Sequence, residues 1–187
     1  MNSSEDHYEW RFSFVRNKTL KDHLGDALKC AVELTVIAKK YPPLIRSTFY
    51  KTSIIHLASI IEALLHYCAN EMLGDTYEHP EWTYCNIKKL HEVEKDNFPK
   101  IQIIAGERYK KIYKLSRYID FKVLNRLCLK EKILNKKLYS KVEKIRNLRN
   151  KIHLFGLKSI DRKFQKRDVE FTSKIAYDIL KTVENKL

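Results

Sequence analysis

Residues 53–73 read SIIHLASIIEALLHYCANEML, and how this stretch is read decides the fold. Ile54, Ile55, Leu57, Ala58, Ile60, Ile61, Ala63, Leu64 and Leu65 would put apolar side chains on most sides of a helix. A helix that is apolar all round must be covered by other elements. It therefore predicts the central member of a helical bundle. His56, Glu62 and His66 fall within it, and ionisable groups are costly in lipid, so a buried core helix is the better reading than a membrane span.

Working outward, the helix extends back to about residue 44 and is expected to end at Gly74-Asp75, where glycine permits the left-handed turn that closes many helices. Upstream, Leu24, Ala27, Leu28, Ala31, Leu34 and Ile37 or Ala38 recur at helical spacing, and Tyr41-Pro42-Pro43 stops that helix. Trp10, Phe12 and Phe14 alternate with charged or polar residues, which predicts a short strand or a packed arm, with core packing as the favoured role. Downstream, residues 74–100 are the least regular, with a loop over 75–82, a short helix over 86–95 and a break at Pro99. Helix is expected again from Ile101, with Ile112, Leu115, Ile119, Val123, Leu124, Leu127 and Leu129 as buried positions and a bend near Asp120-Phe121. A helix capped by Asn135 follows over about 136–154, ended by Gly156. A last helix over about 168–185 would bury Phe171, Ile175, Ala176, Ile179, Leu180 and Val183.

Only four glycines and four prolines occur in 187 residues, too few for the many turns of an all-β fold. The composition, 44% hydrophobic and 32% charged, is that of a globular chain. The expected fold class is all-α, an up-and-down bundle of about four to six helices, as a single domain over residues 1–187 with 74–100 as an irregular insertion. Cys30, Cys68, Cys85 and Cys128 form no CxxC pair, which argues against a zinc ribbon or a redox motif and fits buried thiols in a reducing compartment. The polar, acidic N-terminal stretch MNSSEDHYEWRF lacks the apolar core of a signal peptide, so cytoplasmic residence without membrane association is expected.

The net charge is +14, and its distribution is uneven. Residues 108–167 hold 21 Lys and Arg against 4 Asp and Glu, whereas the rest hold 16 against 19. A field concentrated in this way attracts polyanions, although a solvated, lysine-rich surface would carry the same charge. Tyr109, Tyr113 and Tyr118 interleave with Lys110, Lys111, Lys114 and Arg117, a pattern that fits either stacking on bases or half-buried core. Lys88, Lys89, His91 and Lys95 read as surface.

Within the basic region lies KKLYSKVEKIRNLRNKIHL, residues 136–154. Leu138, Val142, Ile145, Leu148 and Ile152 form its core-facing stripe, and Arg146, Arg149, Asn150 and His153 form the stripe beside it. Arg146 and His153 are seven residues apart. At 3.6 residues per turn they stand two turns apart and only ~20° out of line. Guanidinium groups hold phosphate oxygens through paired donors and stabilise developing negative charge. An imidazole with an unperturbed pKa of ~6.5 can take and return a proton near neutrality. The 2′-hydroxyl of RNA is a nucleophile already in place, so such a set needs neither metal nor cofactor. Glu62 and His66, four apart on the apolar helix, are read as an internal hydrogen bond and not as a metal site.

The string RNLRNKIHL, residues 146–154, resembles the signature of HEPN domains (higher eukaryotes and prokaryotes nucleotide-binding). That signature is an Arg, usually followed by a polar residue, with four to six residues between the Arg and a His. Arg146-Asn147 leaves six before His153, whereas Arg149-Asn150 leaves three, which is too short. The resemblance therefore puts the motif on Arg146 and His153, with Asn147, Arg149, Asn150 and Lys151 as supporting, RNA-binding neighbours. It is specific over about ten residues. Elsewhere it is architectural: a long central helix, the motif on a late helix, and one helix after it. It implies a metal-independent endoribonuclease with no cofactor, acting as a homodimer whose two motifs share one cleft. It also implies a place among toxin–antitoxin or other defence proteins, with an antitoxin or a nucleotidyltransferase as partner. Other members are non-catalytic and bind RNA, a nucleotide or a partner protein. A helical protein whose basic face docks an acidic partner is a further alternative.

Overall fold

A computed structural model describes residues 8–74, 76–78, 83–93, 101–109, 112–114, 119–150 and 164–187. The chain divides into two compact units. The first comprises Met1–Met72 with Arg117–Leu187, and the second is Leu73–Ser116.

The first unit is an all-α bundle. Its described elements are a short 3-10 helix, Glu9–Phe12, followed by α1 Lys18–Ala38, α2 Pro43–Leu73, α3 Phe121–Lys130, α4 Lys136–Asn150 and α5 Lys166–Glu184. Side chains placed by the local sequence start three of these helices. Asn17 accepts from the Leu20 amide at 2.9 Å, Asp120 from the Lys122 amide at 2.7 Å, and Asn135 from the Leu138 amide at 2.8 Å. The α5 start is a capping box between Gln165 and Asp168. At the other end of α2, Gly74 takes a φ of 73°, a backbone shape that costs a β-carbon residue but not glycine.

The core gathers around α2. Ile54, Ala58, Ile61, Leu64, Leu65, Cys68 and Ala69 are wholly buried. Leu24, Ala31 and Ala38 of α1, Leu124 and Leu127 of α3, Val142 and Ile145 of α4, and Ile175, Ile179 and Val183 of α5 complete it. By length and composition α2 could cross a membrane, yet 61% of its most apolar window is buried within the protein. The expected core stripe of α4 is present as Leu138, Val142, Ile145 and Leu148. Two expectations need correction. In α5, Phe171 is exposed while Val169 and Thr172 are buried, because the face turned inward begins one turn-edge earlier. Over the described residues 8–14 there is a 3-10 turn and no strand; the packed-arm alternative fits, since Phe12 is buried, while Trp10 lies outside under the Arg11 guanidinium.

The second unit consists of antiparallel ribbons. β1 Thr76–Glu78 pairs with β4 Ile112–Lys114, and β2 Thr83–Val93 pairs with β3 Ile101–Tyr109. This overturns the helix expected over 86–95 and the helical reading over Ile101–Tyr109, and it puts Ile112 in a strand, whereas the helix expected beyond Asp120 is present as α3. The ribbon unit also reaches beyond the insertion read at 74–100. Two register irregularities explain the missed strands, since they break the two-residue alternation that marks a strand. Asn86 takes a φ of 51° in the first of these, between Cys85 and Lys88. Gly106 answers it across the ribbon. A β-carbon there would lie 3.1 Å from the Cys85 carbonyl oxygen and 3.2 Å from Ile87 Cγ1, a tight fit that would push the bulge back slightly. Ile87 and Leu90 are more than half exposed, which removes the one-sided burial that the sequence reading depends on.

The thiols also separate. Cys68 and Cys128 are buried as expected, whereas Cys30 is exposed. Burial pushes the Cys68 thiol up to about 11 and raises Cys128 further.

Candidate functional site

α4 turns its apolar stripe towards α3 and α5 and carries its cations on the stripe beside it. Arg146 is largely covered, with 18% of its side chain exposed. Its Nε donates to Glu143 Oε2 at 3.1 Å, its Nη2 approaches the same oxygen at 3.0 Å, and Nη2 also donates to Asn147 Oδ1 at 3.1 Å. Glu143 is held from its other side, because Asn125 of α3 donates through Nδ2 to Oε1 at 2.7 Å. Asn125 is completely buried, and its Oδ1 has no hydrogen-bond partner. A chain of contacts thus runs from the core, Asn125 to Glu143 to Arg146. It fixes the guanidinium through charge-assisted bonds while leaving one buried acceptor unsatisfied.

Arg149 is tied elsewhere. Its Nη1 donates to Glu62 Oε2 at 2.6 Å, joining α4 to α2 across 87 residues of sequence. Glu62, expected from the sequence to bond His66 within α2, thus gives one carboxylate oxygen to Arg149 of α4. The two side chains are about one-third exposed, so the pair is neither buried in the core nor free in water. Glu62 also lines a pocket of about 310 Å³ with Ser59, Ala63 and His66 of α2, Leu20 of α1, Ile119, and Leu124 of α3.

Of the expected site residues, Arg146, Asn147, Arg149 and Asn150 all lie on the last turn and a half of α4, with Asn147 and Asn150 exposed. Lys151 and His153 lie outside the described residues, as do Ile152 and Leu154. Glu143 and Asn125 escaped the sequence reading, and Glu62 entered it only beside His66, not as a partner of α4. Glu143 carried a signal, since it precedes Arg146 by one helical turn and i,i+3 pairs are neighbours. Glu62 and Asn125 gave none, because only the packing of α2 and α3 against α4 brings them there. Among the described residues, no group of three or more His, Cys, Asp or Glu side chains is placed to hold a metal ion.

A larger cavity, about 530 Å³, lies between the 3-10 helix, α1, α2 and α5. Its walls are mostly aliphatic, including Val32, Val36, Leu57, Ile60 and Leu180. No residue of α4 lines it, so it is separate from the guanidinium cluster.

Compared with family models, with curated proteins and with solved structures, the chain matches none.

Proposed function

We propose that this chain is a metal-independent endoribonuclease of the HEPN kind, working as a homodimer in the cytoplasm. One observation carries the reading. Residues 146–150, the first part of the segment that resembles the HEPN signature, close a core-packed helix, with Arg146 and Arg149 each braced by a carboxylate, Glu143 and Glu62. Braced guanidinium groups cost less entropy when they meet a phosphate, which favours binding and positioning.

The chemistry follows from the groups. His153 removes the proton of the ribose 2′-hydroxyl. The 2′-oxygen attacks the adjacent phosphorus, the bond to the 5′-oxygen breaks, and that oxygen takes the proton that the His153 imidazolium returns. The products are a 2′,3′-cyclic phosphate and a free 5′-hydroxyl. Arg146 binds the non-bridging oxygens as charge builds on them, and Arg149 with Asn147, Asn150 and Lys151 holds the flanking strand. Pairing two protomers would double this cationic surface. A role in a toxin–antitoxin or other defence system, with an antitoxin or nucleotidyltransferase partner, fits the same reading. Incubating total RNA in EDTA with native protein and with His153→Ala tests it, and equal cleavage by the two refutes it.

A second reading is favoured by the same carboxylates. Because Glu143 and Glu62 partly neutralise the two guanidinium groups, the face also suits a non-catalytic module that binds RNA, a nucleotide or a partner protein. It predicts binding that weakens with salt and no strand scission.

A further inference from the structure

We propose that the pocket of Ser59, Glu62 and His66 is a nucleobase subsite that favours bases bearing an exocyclic amino group over uracil. The proposal rests on the reading of α4 as an RNA-binding face, and it adds what that face would select.

Three observations support it. The pocket holds about 310 Å³, at the lower end of the ~300–1,000 Å³ typical of small-molecule sites and suited to a single base. Its walls divide by chemistry: Leu20, Ala63, Ile119 and Leu124 offer apolar surface for the faces of a ring, while Ser59, Glu62 and His66 offer polar groups for its edge. Finally, the pocket is joined to the cationic face by a shared atom group, since the Glu62 carboxylate that lines it also accepts from Arg149 at 2.6 Å. A base in the pocket would have its own phosphate within reach of the Arg149 guanidinium.

The selectivity follows from donor and acceptor counts. A carboxylate only accepts hydrogen bonds. Cytosine, adenine and guanine each present an amino group to it, the pairing by which acidic side chains read cytosine in duplexes. Uracil presents two carbonyl oxygens around a single N–H, so its edge sets lone pairs against the Glu62 oxygens. An isostere that turns the carboxylate into an amide offers donors as well, and should accommodate uracil.

Fluorescence anisotropy of labelled 12-nucleotide oligo-A, oligo-C and oligo-U against the full chain provides the test, with His153→Ala present in every protein so that no probe is cut. Native Glu62 should bind oligo-A and oligo-C roughly tenfold more tightly than oligo-U, the ratio given by one well-placed hydrogen-bonding pair. Ala63→Trp, which fills the pocket and leaves the Glu62–Arg149 pair in place, should bring the ratio near one while salt-dependent binding persists. Glu62→Gln should shift the ratio towards oligo-U, a change of sign that simple loss of structure would not produce. Equal affinities in the native pocket, a ratio untouched by Ala63→Trp, or no binding of any oligonucleotide would each overturn the subsite. Base preference without RNA scission by the parent chain would leave the subsite standing and remove the nuclease reading, whereas scission with equal affinities would do the reverse.

Discussion

At the residue scale, Asn125 is the least expected participant. A side chain with no exposure and an unsatisfied Oδ1 costs roughly 1–3 kcal/mol, yet its amide donates to Glu143, which holds Arg146. Replacement by leucine removes both the orphan acceptor and the bond to Glu143, and should leave stability within about 1 kcal/mol of the parent. Replacement by aspartate buries a carboxylate beside a carboxylate and should cost about 3 kcal/mol or more. Urea denaturation midpoints would rank the two, and a reversed order would break the Asn125–Glu143–Arg146 relay. The cysteines give a second residue-scale prediction. Cys30 should react with a thiol reagent at neutral pH while Cys68 and Cys128 remain protected until the protein unfolds. Because burial raises Cys68 from 9.0 to about 11, the unfolded chain loses that proton first as the pH climbs. Folding stability should therefore be full below pH 9.0 and fall between there and about 11, which a pH series of thermal melts would register.

At the scale of elements, the helices were legible and the ribbons were not. The expected starts of α1, α2, α4 and α5, and the expected stops of α1, α2 and α5, fall within a few residues of the observed ones, because caps and glycines are local and the apolar period is strong over long helices. Asn135 and Gly74 act where their chemistry predicts. The strands at Thr83–Val93 and Ile101–Tyr109 escape a reading by period for physical reasons: register breaks interrupt the alternation, and the apolar Ile87 and Leu90 are exposed. The site was legible on one helix only. Arg146, Arg149, Asn147 and Asn150, with Glu143 one turn before Arg146, could be found by counting along α4, but Glu62 comes from α2 and Asn125 from α3, and distance in sequence hides such pairs. The orientation of α4 is open to direct test. Ile145→Ala, at a fully buried position, should cost about 2–5 kcal/mol, while Lys144→Ala on the exposed side should change stability by about 0.5 kcal/mol at most. Denaturant titrations showing similar costs for both would mean the helix faces another way.

At the scale of the whole molecule, the positive charge is the property that a polyanion would meet first. The excess of Lys and Arg is confined to residues 108–167, the region that contains α4. If about four of these cations contact single-stranded RNA, the logarithm of the binding constant should fall with the logarithm of salt at a slope of roughly −3. A filter-binding series over several salt concentrations would measure it, and a flat response would mean that the basic region is only a solvated surface. Such binding is common to both functional readings, so it cannot choose between them. Strand scission can. The deciding measurement is the initial rate at which an end-labelled RNA is cut in EDTA by native protein, Arg146→Ala and His153→Ala, with the product ends identified. Scission by Arg146 and His153 requires 2′,3′-cyclic phosphate ends from the native protein and rates lower by about 10²-fold or more in both variants. Three equal rates, or no scission by the folded native chain, would contradict it.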